Sequence, residues 1–274
     1  MMAGRRSLLL AACLAALGPA LALASPPAHA TPAVHADRTR ASTAARAYGW
    51  GQPAWREEFD RSRLRSVWGV FDSPGNGGNG LRRPSQVRLG GGVLTIAGTP
   101  EALTGGLALD RGLHRYGRWE TRLRTRSSGT GSPYHAVLAL IPHDLARYHC
   151  GATDIDVAEY DLGAPVGFFL HALPARQHYA SVRRDTTRWH TYAVEVTRRS
   201  VTWFVDGRAV VTDRDATMTS GIPLALDLQL DAFQPAGLAR STMQVDWTRY
   251  YPLRGHTRPV KAPAPRTTTY DYAC

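Results

Sequence analysis

The sequence predicts one large all-β domain, organised as a sandwich or a barrel. Its 274 residues are enough for a sizeable hydrophobic core. Helical periodicity is scarce, whereas short segments of alternating polar and apolar residues recur between glycine, proline and Asp-Gly turns. This combination is typical of antiparallel strands joined by tight turns.

The predicted strands follow one another closely from residue 93 onward. They are residues 93–97, 117–125, 135–141, 153–161 and 167–172, a three-strand meander within 190–212, and residues 224–231 and 243–251. Asp206-Gly207 is a strong hairpin signal and marks one turn of the meander. In the strand at 224–231, four leucines alternate with Ala225, Asp227, Gln229 and Asp231, which predicts one apolar and one polar face.

The two ends of the chain differ in composition from its middle. Residues 1–30 read as an export signal, with a basic start, an apolar stretch and a small-residue cleavage site. A twin-arginine signal at Arg5-Arg6 and a lipoprotein cleavage box at Cys13 are the alternatives to ordinary secretion. We expect a flexible leader at 31–50, the folded domain at 51–254 and a Pro/Thr/Arg-rich, irregular tail at 255–274.

The cysteines, the net charge and the missing motifs limit which partners and cofactors we expect for this protein. Removal of the signal leaves Cys150 and Cys274, which are compatible with one disulfide or with two separate thiols. The formal net charge is +11, but the arginines are dispersed, and no nucleic-acid-binding module is recognisable. We therefore expect no nucleic-acid partner. The apolar stretch of the signal is short, so we expect no membrane span, and the absence of nucleotide-binding or metalloprotease motifs predicts no cofactor.

An acidic segment at residues 153–160 carries the main functional signal. Side chains alternate along a strand, so Asp154 and Asp156 share one face. Glu159 would face the other way unless a β-bulge at Val157-Ala158 turned it back. Three acids grouped on one face suit the cleavage of a glycosidic bond. The alternative is a solvated edge strand with no catalytic role.

Five further segments, in order, resemble those of glycoside hydrolase family 16, the laminarinases, lichenases and related β-glucan enzymes. They are W-x-x-E-F-D at 55–60, G-x-L-x-I at 92–96, Y-G-R-W-E-x-R at 116–122, W-H-x-Y-x-x-E at 189–195 with F-V-D-G at 204–207, and V-D-W-x-R-Y-Y at 245–251. The resemblance implies a β-jelly roll of two curved antiparallel sheets with a concave glycan cleft.

The same resemblance implies a role for each acid. The family's E-I-D-I-x-E falls on Asp154 as nucleophile, Asp156 as its electrostatic partner and Glu159 as general acid/base. This chain has aspartate where the family has a glutamate nucleophile, which withdraws the carboxylate by roughly 1–1.5 Å, and a displacement of about 1 Å can cost about 10²-fold in rate. Retaining hydrolysis, inverting hydrolysis and binding without hydrolysis all remain open.

Other residues are expected to support the site. The predicted substrate-binding residues are Tyr134, His135, His171, Gln229 and Asn79. Asp227 and Asp231 share the polar face of Gln229, whereas Trp119 and Trp203 are expected in the core. We expect no catalytic metal; a structural calcium ion at Asp246 would follow only from the resemblance.

These observations predict a secreted bacterial glycoside hydrolase that cleaves a β-linked, glucan-like polysaccharide. The enzyme would be an endo-acting monomer that uses paired carboxylates and no cofactor. The alternatives are a non-catalytic glycan-binding jelly roll, which has lost turnover through the exchange at Asp154, and a cell-wall transglycosylase. The linkage cleaved does not follow from the sequence.

Overall fold

Two eight-stranded antiparallel sheets face each other in the computed structural model. The model describes residues 41–143, 154–172, 176–254 and 258–269, all within one compact unit, Thr31–Cys274. The expected export signal and both Cys150 and Cys274 lie outside the described residues.

The strands are numbered along the chain, after one short helix, α1. Helix α1 is Ala44–Tyr48. The strands are β1 Trp55–Glu57, β2 Trp68–Val70, β3 Ser73–Pro74, β4 Leu81–Arg82, β5 Val87–Gly90, β6 Val93–Gly98, β7 Leu103–Thr104, β8 Gly106–Leu109, β9 Gly117–Ser128, β10 His135–Pro142, β11 Ile155–Asp161, β12 Val166–Ala172, β13 Arg176–Val182, β14 His190–Val196, β15 Val201–Val205, β16 Arg208–Asp213, β17 Leu224–Asp231, β18 Arg240–Tyr251 and β19 Arg266–Thr269. Three-residue 3₁₀ helices cover Asn76–Gly78, Pro84–Gln86 and Ala216–Met218.

The strand order defines a front sheet and a back sheet. The front sheet runs β19-β13-β12-β11-β10-β17-β8-β2, and the back sheet runs β16-β15-β14-β9-β18-β6-β5, with β1 also paired to β18. A small third sheet, β3-β4-β7, contains a parallel pair, β4 and β7. The predicted all-β jelly-roll sandwich is therefore confirmed. Every predicted strand is present, and the larger differences, three residues each, are at the end of β9 and the start of β18.

The core lies between the two sheets. Leu226, Leu228 and Leu230 of β17 are at most 1% exposed and point into it, as the alternating pattern predicts. Trp119 and Trp203 are also core residues, as expected. Because one face of the front sheet is filled by apolar side chains, its polar side chains are directed to the opposite face, which carries the site.

The end of the predicted flexible leader contains a helix, contrary to expectation. Helix α1 is capped by Thr43, whose hydroxyl accepts a hydrogen bond from the Arg46 amide. Trp50 is 4% exposed and packs edge-on against Phe204, 5.4 Å between ring centroids. Burial of aromatic surface on the back sheet offsets the entropy of ordering this segment.

The expected irregular tail also contains a strand. β19 pairs antiparallel with β13 and becomes an edge of the front sheet. Before it, the Pro263 carbonyl accepts a hydrogen bond from the Thr212 amide at 2.9 Å. The prolines end at Pro265, and the following threonines are β-branched residues that favour a strand.

Glu120 is a buried carboxyl on the outer face of the back sheet. Its side chain is fully buried and accepts a hydrogen bond from the Ala44 amide at 2.5 Å. Its second oxygen has no hydrogen-bond partner among the described residues. Burial raises the pKa of Glu120 from 4.5 to about 7, although the hydrogen bonds from α1 act in the opposite direction.

This burial predicts a pH-dependent stability. A carboxyl whose pKa is raised by folding favours the folded state fully below its unfolded pKa, and that contribution is lost as the pH rises through the folded value. Between about pH 5 and about pH 8, the free energy of unfolding of wild type should therefore fall by on the order of 3 kcal/mol more than that of Glu120→Gln, which has no carboxyl group to ionise. Urea unfolding at the two pH values measures the difference. The exposed Asp60→Asn is the control, and an identical pH dependence in wild type and Glu120→Gln would contradict the prediction.

Candidate active site

A β-bulge in β11 places two of the acids on one face. Two consecutive residues of β10 pair with Ala158 and Asp156, so Val157 is an extra residue in β11. The register with β12 shifts between Asp156 and Glu159 as well. This is the bulge that the sequence predicted, and it returns Glu159 to the face of Asp156.

The bulge is tied to the core by a tryptophan of the back sheet. The indole N–H of Trp203 donates to the Asp156 carbonyl at 2.9 Å, in a buried position. Val157 and Ala158 are 2% and 1% exposed. The unpaired backbone of the bulge thus has a partner, and apolar burial fixes the direction in which the neighbouring acids point.

The acids line a cleft on the outer face of the front sheet. Its volume is about 180 Å³. Its lining residues are Asn76, Arg82, Val137, Ala139, Ile141, Asp154, Asp156, Glu159, His171, Gln229, Asp231 and Phe233. The mixture of carboxylates, cations and an exposed aromatic ring suits a polar ligand with apolar faces.

His171 lies beside the first two acids. Its Nδ1 is 2.8 Å from Asp154 Oδ1 and 3.3 Å from Asp156 Oδ2. Its Nε2 is 2.8 Å from Gln177 Oε1. Burial by itself lowers the pKa of His171, but the hydrogen bonds and charges of the two aspartates outweigh it and raise the pKa to about 12. His171 is therefore a cation at neutral pH.

His135 holds the third acid in the same manner. Its Nε2 is 2.7 Å from Glu159 Oε1 and its Nδ1 is 2.9 Å from Asp161 Oδ1. The ring also packs against Phe233, with 4.4 Å between centroids. Burial opposes the charged form, yet the two carboxylates raise the pKa of His135 above its ordinary value.

Asp156 and Glu159 differ in protonation. Burial, followed by the charges of Glu159 and Asp154, raises the pKa of Asp156 well above its ordinary value. Burial acts in the same direction on Glu159, but hydrogen bonds from His135 and Asp156 and the charge of His135 lower its pKa overall. These opposite pKa shifts favour the protonated form of Asp156 and the ionised form of Glu159 in the free site.

The polar face of β17 forms the other wall of the cleft. Gln229 and Asp231 line it, as expected, and Asp231 Oδ1 accepts two hydrogen bonds from the Arg82 guanidinium, at 3.0 and 2.7 Å. Asp227 lies on the same face but is 5% exposed and does not line the cleft. Burial, then the charge of Asp231, raises the pKa of Asp227 to about 7.

Three of the five predicted substrate-binding residues do not line the cleft: His135, which contacts Glu159 instead, Tyr134 and Asn79. Tyr134 is 0% exposed, and its hydroxyl donates to the Thr99 carbonyl at 2.6 Å, so its ring is not available to a sugar. Within the Gly-rich loop, Asn76 rather than Asn79 lines the cleft. Gly75 and Gly80 close this loop by a backbone hydrogen bond of 3.1 Å, which sets the direction of the residues between them.

Three polar or aromatic residues of the lining were not predicted from the sequence, and neither were the apolar Val137, Ala139 and Ile141. Phe233 is 46% exposed, Arg82 reaches Asp231 across 149 residues of sequence, and Asn76 lies on the loop. The signal for Phe233 is an aromatic residue two positions after the end of a strand with a polar face. Neither the Arg82 contact nor the choice of asparagine has a comparable local signal.

A metal ion has one candidate set of ligands among the described residues. Asp154, Asp156 and His171 each offer a ligand atom, and these atoms lie within 4.8 Å of one another. In the structure, those atoms are engaged with one another by hydrogen bonds instead. Asp246, the expected calcium position, faces the Arg122 guanidinium at 2.6 Å, which places a cation against it already.

A larger pocket, about 410 Å³, lies on the outer face of the back sheet. It is lined by Ala41, Ser42, Arg122, Asp185, Arg188, Trp189, His190, Thr191 and Asp206. Its two acids serve local structure: Asp185 accepts from the Thr187 amide and Asp206 accepts from the Thr191 amide. We therefore assign the chemistry to the smaller cleft, where the acids converge.

Across the described part of the chain, no helix has the length and hydrophobicity to cross a lipid bilayer.

Comparison with solved structures identifies the fold. The laminarinase catalytic domain of Thermotoga maritima aligns with a TM-score of 0.64 at 16% identity, over 74% of this chain and 99% of the other. The chain has the laminarinase fold. The laminarinase of Rhodothermus marinus gives 0.60 at 21% identity, over 73% and 97% of the two chains. SCLam, a non-specific endo-β-1,3(4)-glucanase from family GH16, gives 0.60 at 19%, over 74% and 91%.

No protein-family model and no curated protein sequence matches the chain.

Proposed function

We propose that the protein is a secreted glycoside hydrolase that cleaves a β-linked, glucan-like polysaccharide at the cleft. The observation that carries the proposal is the convergence of Asp154, Asp156 and Glu159 in one cleft, each in contact with the ring of His171 or His135. The fold shared with laminarinases supports the substrate class, and the signal-like pattern of residues 1–30 supports secretion.

Each acid has a role in the proposed reaction. Asp156 passes its proton to Glu159, and Glu159 delivers it to the glycosidic oxygen as the bond from that oxygen to the anomeric carbon breaks. In the retaining form, Asp154 attacks the anomeric carbon. Water then cleaves the resulting ester, gives a proton to Glu159 and releases the Asp154 carboxylate. In the inverting form, Asp154 instead removes a proton from the attacking water.

Each of the two histidines lies next to a different acid of the proposed mechanism. His171 lies beside Asp154, with Nδ1 2.8 Å from Oδ1, which orients the carboxyl group that either mechanism uses. His135 keeps a positive charge next to Glu159, which favours release of its proton to the leaving oxygen. Phe233 offers a partly exposed ring at the cleft for stacking on an apolar sugar face.

Product release from a glycan panel tests the proposal. The protein is incubated with β-1,3-glucan, mixed-linkage β-glucan, cellulose-type glucan and galactan, and new reducing ends are measured. Release from a β-glucan that is lost in Glu159→Gln supports the hydrolase. Binding to a glycan without release would favour the glycan-binding alternative, and formation of longer oligosaccharides would favour the transglycosylase.

The contact of His135 with Glu159 predicts a pH effect. The imidazolium lowers the pKa of Glu159, so its removal raises that pKa. In His135→Ala, the proton that Asp156 and Glu159 share is kept to higher pH, so the basic limb of the kcat/KM profile should move to higher pH. Profiles on the best glucan, with the exposed His143→Ala as control, measure the shift. A basic limb at the wild-type position would contradict the contact.

A further inference from the structure

Four residues form one row across neighbouring strands of the front sheet. His171 of β12 pairs with Gln177 of β13, and Gln177 pairs with Thr268 of β19. Asp154 is next to His171 on the β11 side, 2.8 Å from its Nδ1. Residues directly opposite one another share a face of the sheet, so all four side chains can interact laterally.

The hydrogen bonds along the row have a defined direction. The Thr268 hydroxyl donates towards the Gln177 backbone carbonyl at 3.5 Å, so its oxygen accepts from Gln177 Nε2 at 3.1 Å. With the amide nitrogen engaged there, Gln177 presents only its acceptor, Oε1, to His171 Nε2 at 2.8 Å. Nε2 must therefore carry a hydrogen.

The other ring nitrogen must carry a hydrogen too. Nδ1 of His171 faces oxygens of both Asp154 and Asp156, and an unprotonated nitrogen would meet their lone pairs. Both N–H groups are then satisfied only in the imidazolium. The charge and the orientation of His171 thus depend on an amide whose own orientation depends on Thr268.

We propose that the C-terminal strand β19 completes the active site, with Thr268 and Gln177 as positioning residues that hold His171 protonated and directed at Asp154. Neither residue lines the cleft, and both act through His171. The proposal rests on the proposed function for its catalytic meaning, but the arrangement of His171 is measurable without turnover. It also gives a role to β19, which follows β18 in sequence and pairs with β13 at the edge of the front sheet.

The test removes the hydroxyl and keeps the strand. Thr268→Val deletes the acceptor for Gln177 Nε2, which frees the amide to turn its nitrogen towards His171 and to disfavour the imidazolium. Thr269→Val is the matched control, because its side chain points to the opposite face of β19. Gln177→Glu combined with Thr268→Val is the rescue, because a carboxylate presents an acceptor to His171 in either orientation.

The readout is nitrogen-15 NMR of the histidine rings at about pH 8, where an unperturbed histidine is neutral. The His171 signals are assigned with a His171→Gln sample. We expect protons on both nitrogens at this pH in wild type, Thr269→Val and the rescue variant. On titration to higher pH, the imidazolium signature should be lost at a lower pH in Thr268→Val than in the other three proteins. An unchanged Thr268→Val spectrum throughout the titration would overturn the proposal, as would loss of the signature at a lower pH in the control or in the rescue variant than in wild type.

Kinetics separate this proposal from the hydrolase assignment. On a hydrolysed glucan, kcat of Thr268→Val should fall by about tenfold with little change in KM, and the rescue should restore it. The expected spectra without hydrolysis of any glycan would leave the positioning role intact and reject the proposed function. Hydrolysis of a glucan by wild type together with an unchanged Thr268→Val spectrum throughout the titration would support the proposed function and reject the positioning role.

Discussion

Replacement of Glu159 by glutamine should lower kcat on a β-glucan by about 10²–10⁴-fold, since the amide cannot donate a proton to the glycosidic oxygen. The glutamine keeps an oxygen acceptor for His135 at nearly the same position, so the fold should be unaffected. Reducing-end release measures the loss, and the exposed Glu101→Gln is the control for removal of one negative charge.

A substrate with a more acidic leaving group tests the role of Glu159 in a second way. An aryl glycoside whose phenol is already acidic needs little protonation, so the loss in Glu159→Gln should be much smaller for it than for a glucan. Equal losses on both substrates would point to a role in binding or folding. A glucan rate close to wild type would remove Glu159 from the mechanism.

Asp154→Ala should abolish turnover on glucans, because it removes the group that attacks the anomeric carbon or activates water. A loss of about 10³-fold or more is expected for a nucleophile or base in direct contact with the reaction. The substitution also opens space next to the anomeric carbon, where a small anion such as azide can enter. Added azide should restore turnover of an activated aryl β-glycoside.

The anomer that wild type releases, compared with the inverted glycosyl azide of the rescued variant, distinguishes the two mechanisms. If Asp154 is the nucleophile, azide attacks in its place and gives the glycosyl azide of inverted configuration, whereas wild type releases a product of retained configuration. If Asp154 activates water, wild type itself releases the inverted anomer. Asp154→Ala activity on glucans near the wild-type rate, without azide, would refute both roles.

Much of the fold is predictable because its signals are local. The alternating leucines of β17 and the Asp-Gly turn between β15 and β16 each depend on a few neighbouring residues. The bulge at Val157 is predictable as well, since only an extra residue reconciles the spacing of Asp156 and Glu159 with a shared face. Segments 43–50 and 266–269 were harder, because their order depends on docking to distant strands.

The contacts of the site can be predicted only where the residues lie on the same strand. His135 meets Glu159 through the register of two strands, and Arg82 meets Asp231 through a loop, so neither contact is encoded nearby. The error at Tyr134 was avoidable. It shares the alternation of Ala136, Leu138 and Leu140, all buried in the core, and its position relative to an aromatic of the resembling family outweighed that pattern.

The single extra residue in β11 has a consequence for how this chain tolerates change. A deletion within a regular strand alters the parity of every later side chain, because side chains alternate with a period of two. Loss of Val157 would not, since Ala158 would take the one inward position between the acids and Glu159 would stay on the face of Asp156 in a regular strand. The bulge is thus a place where a one-codon loss changes the spacing of the two acids along the strand while both still face the cleft.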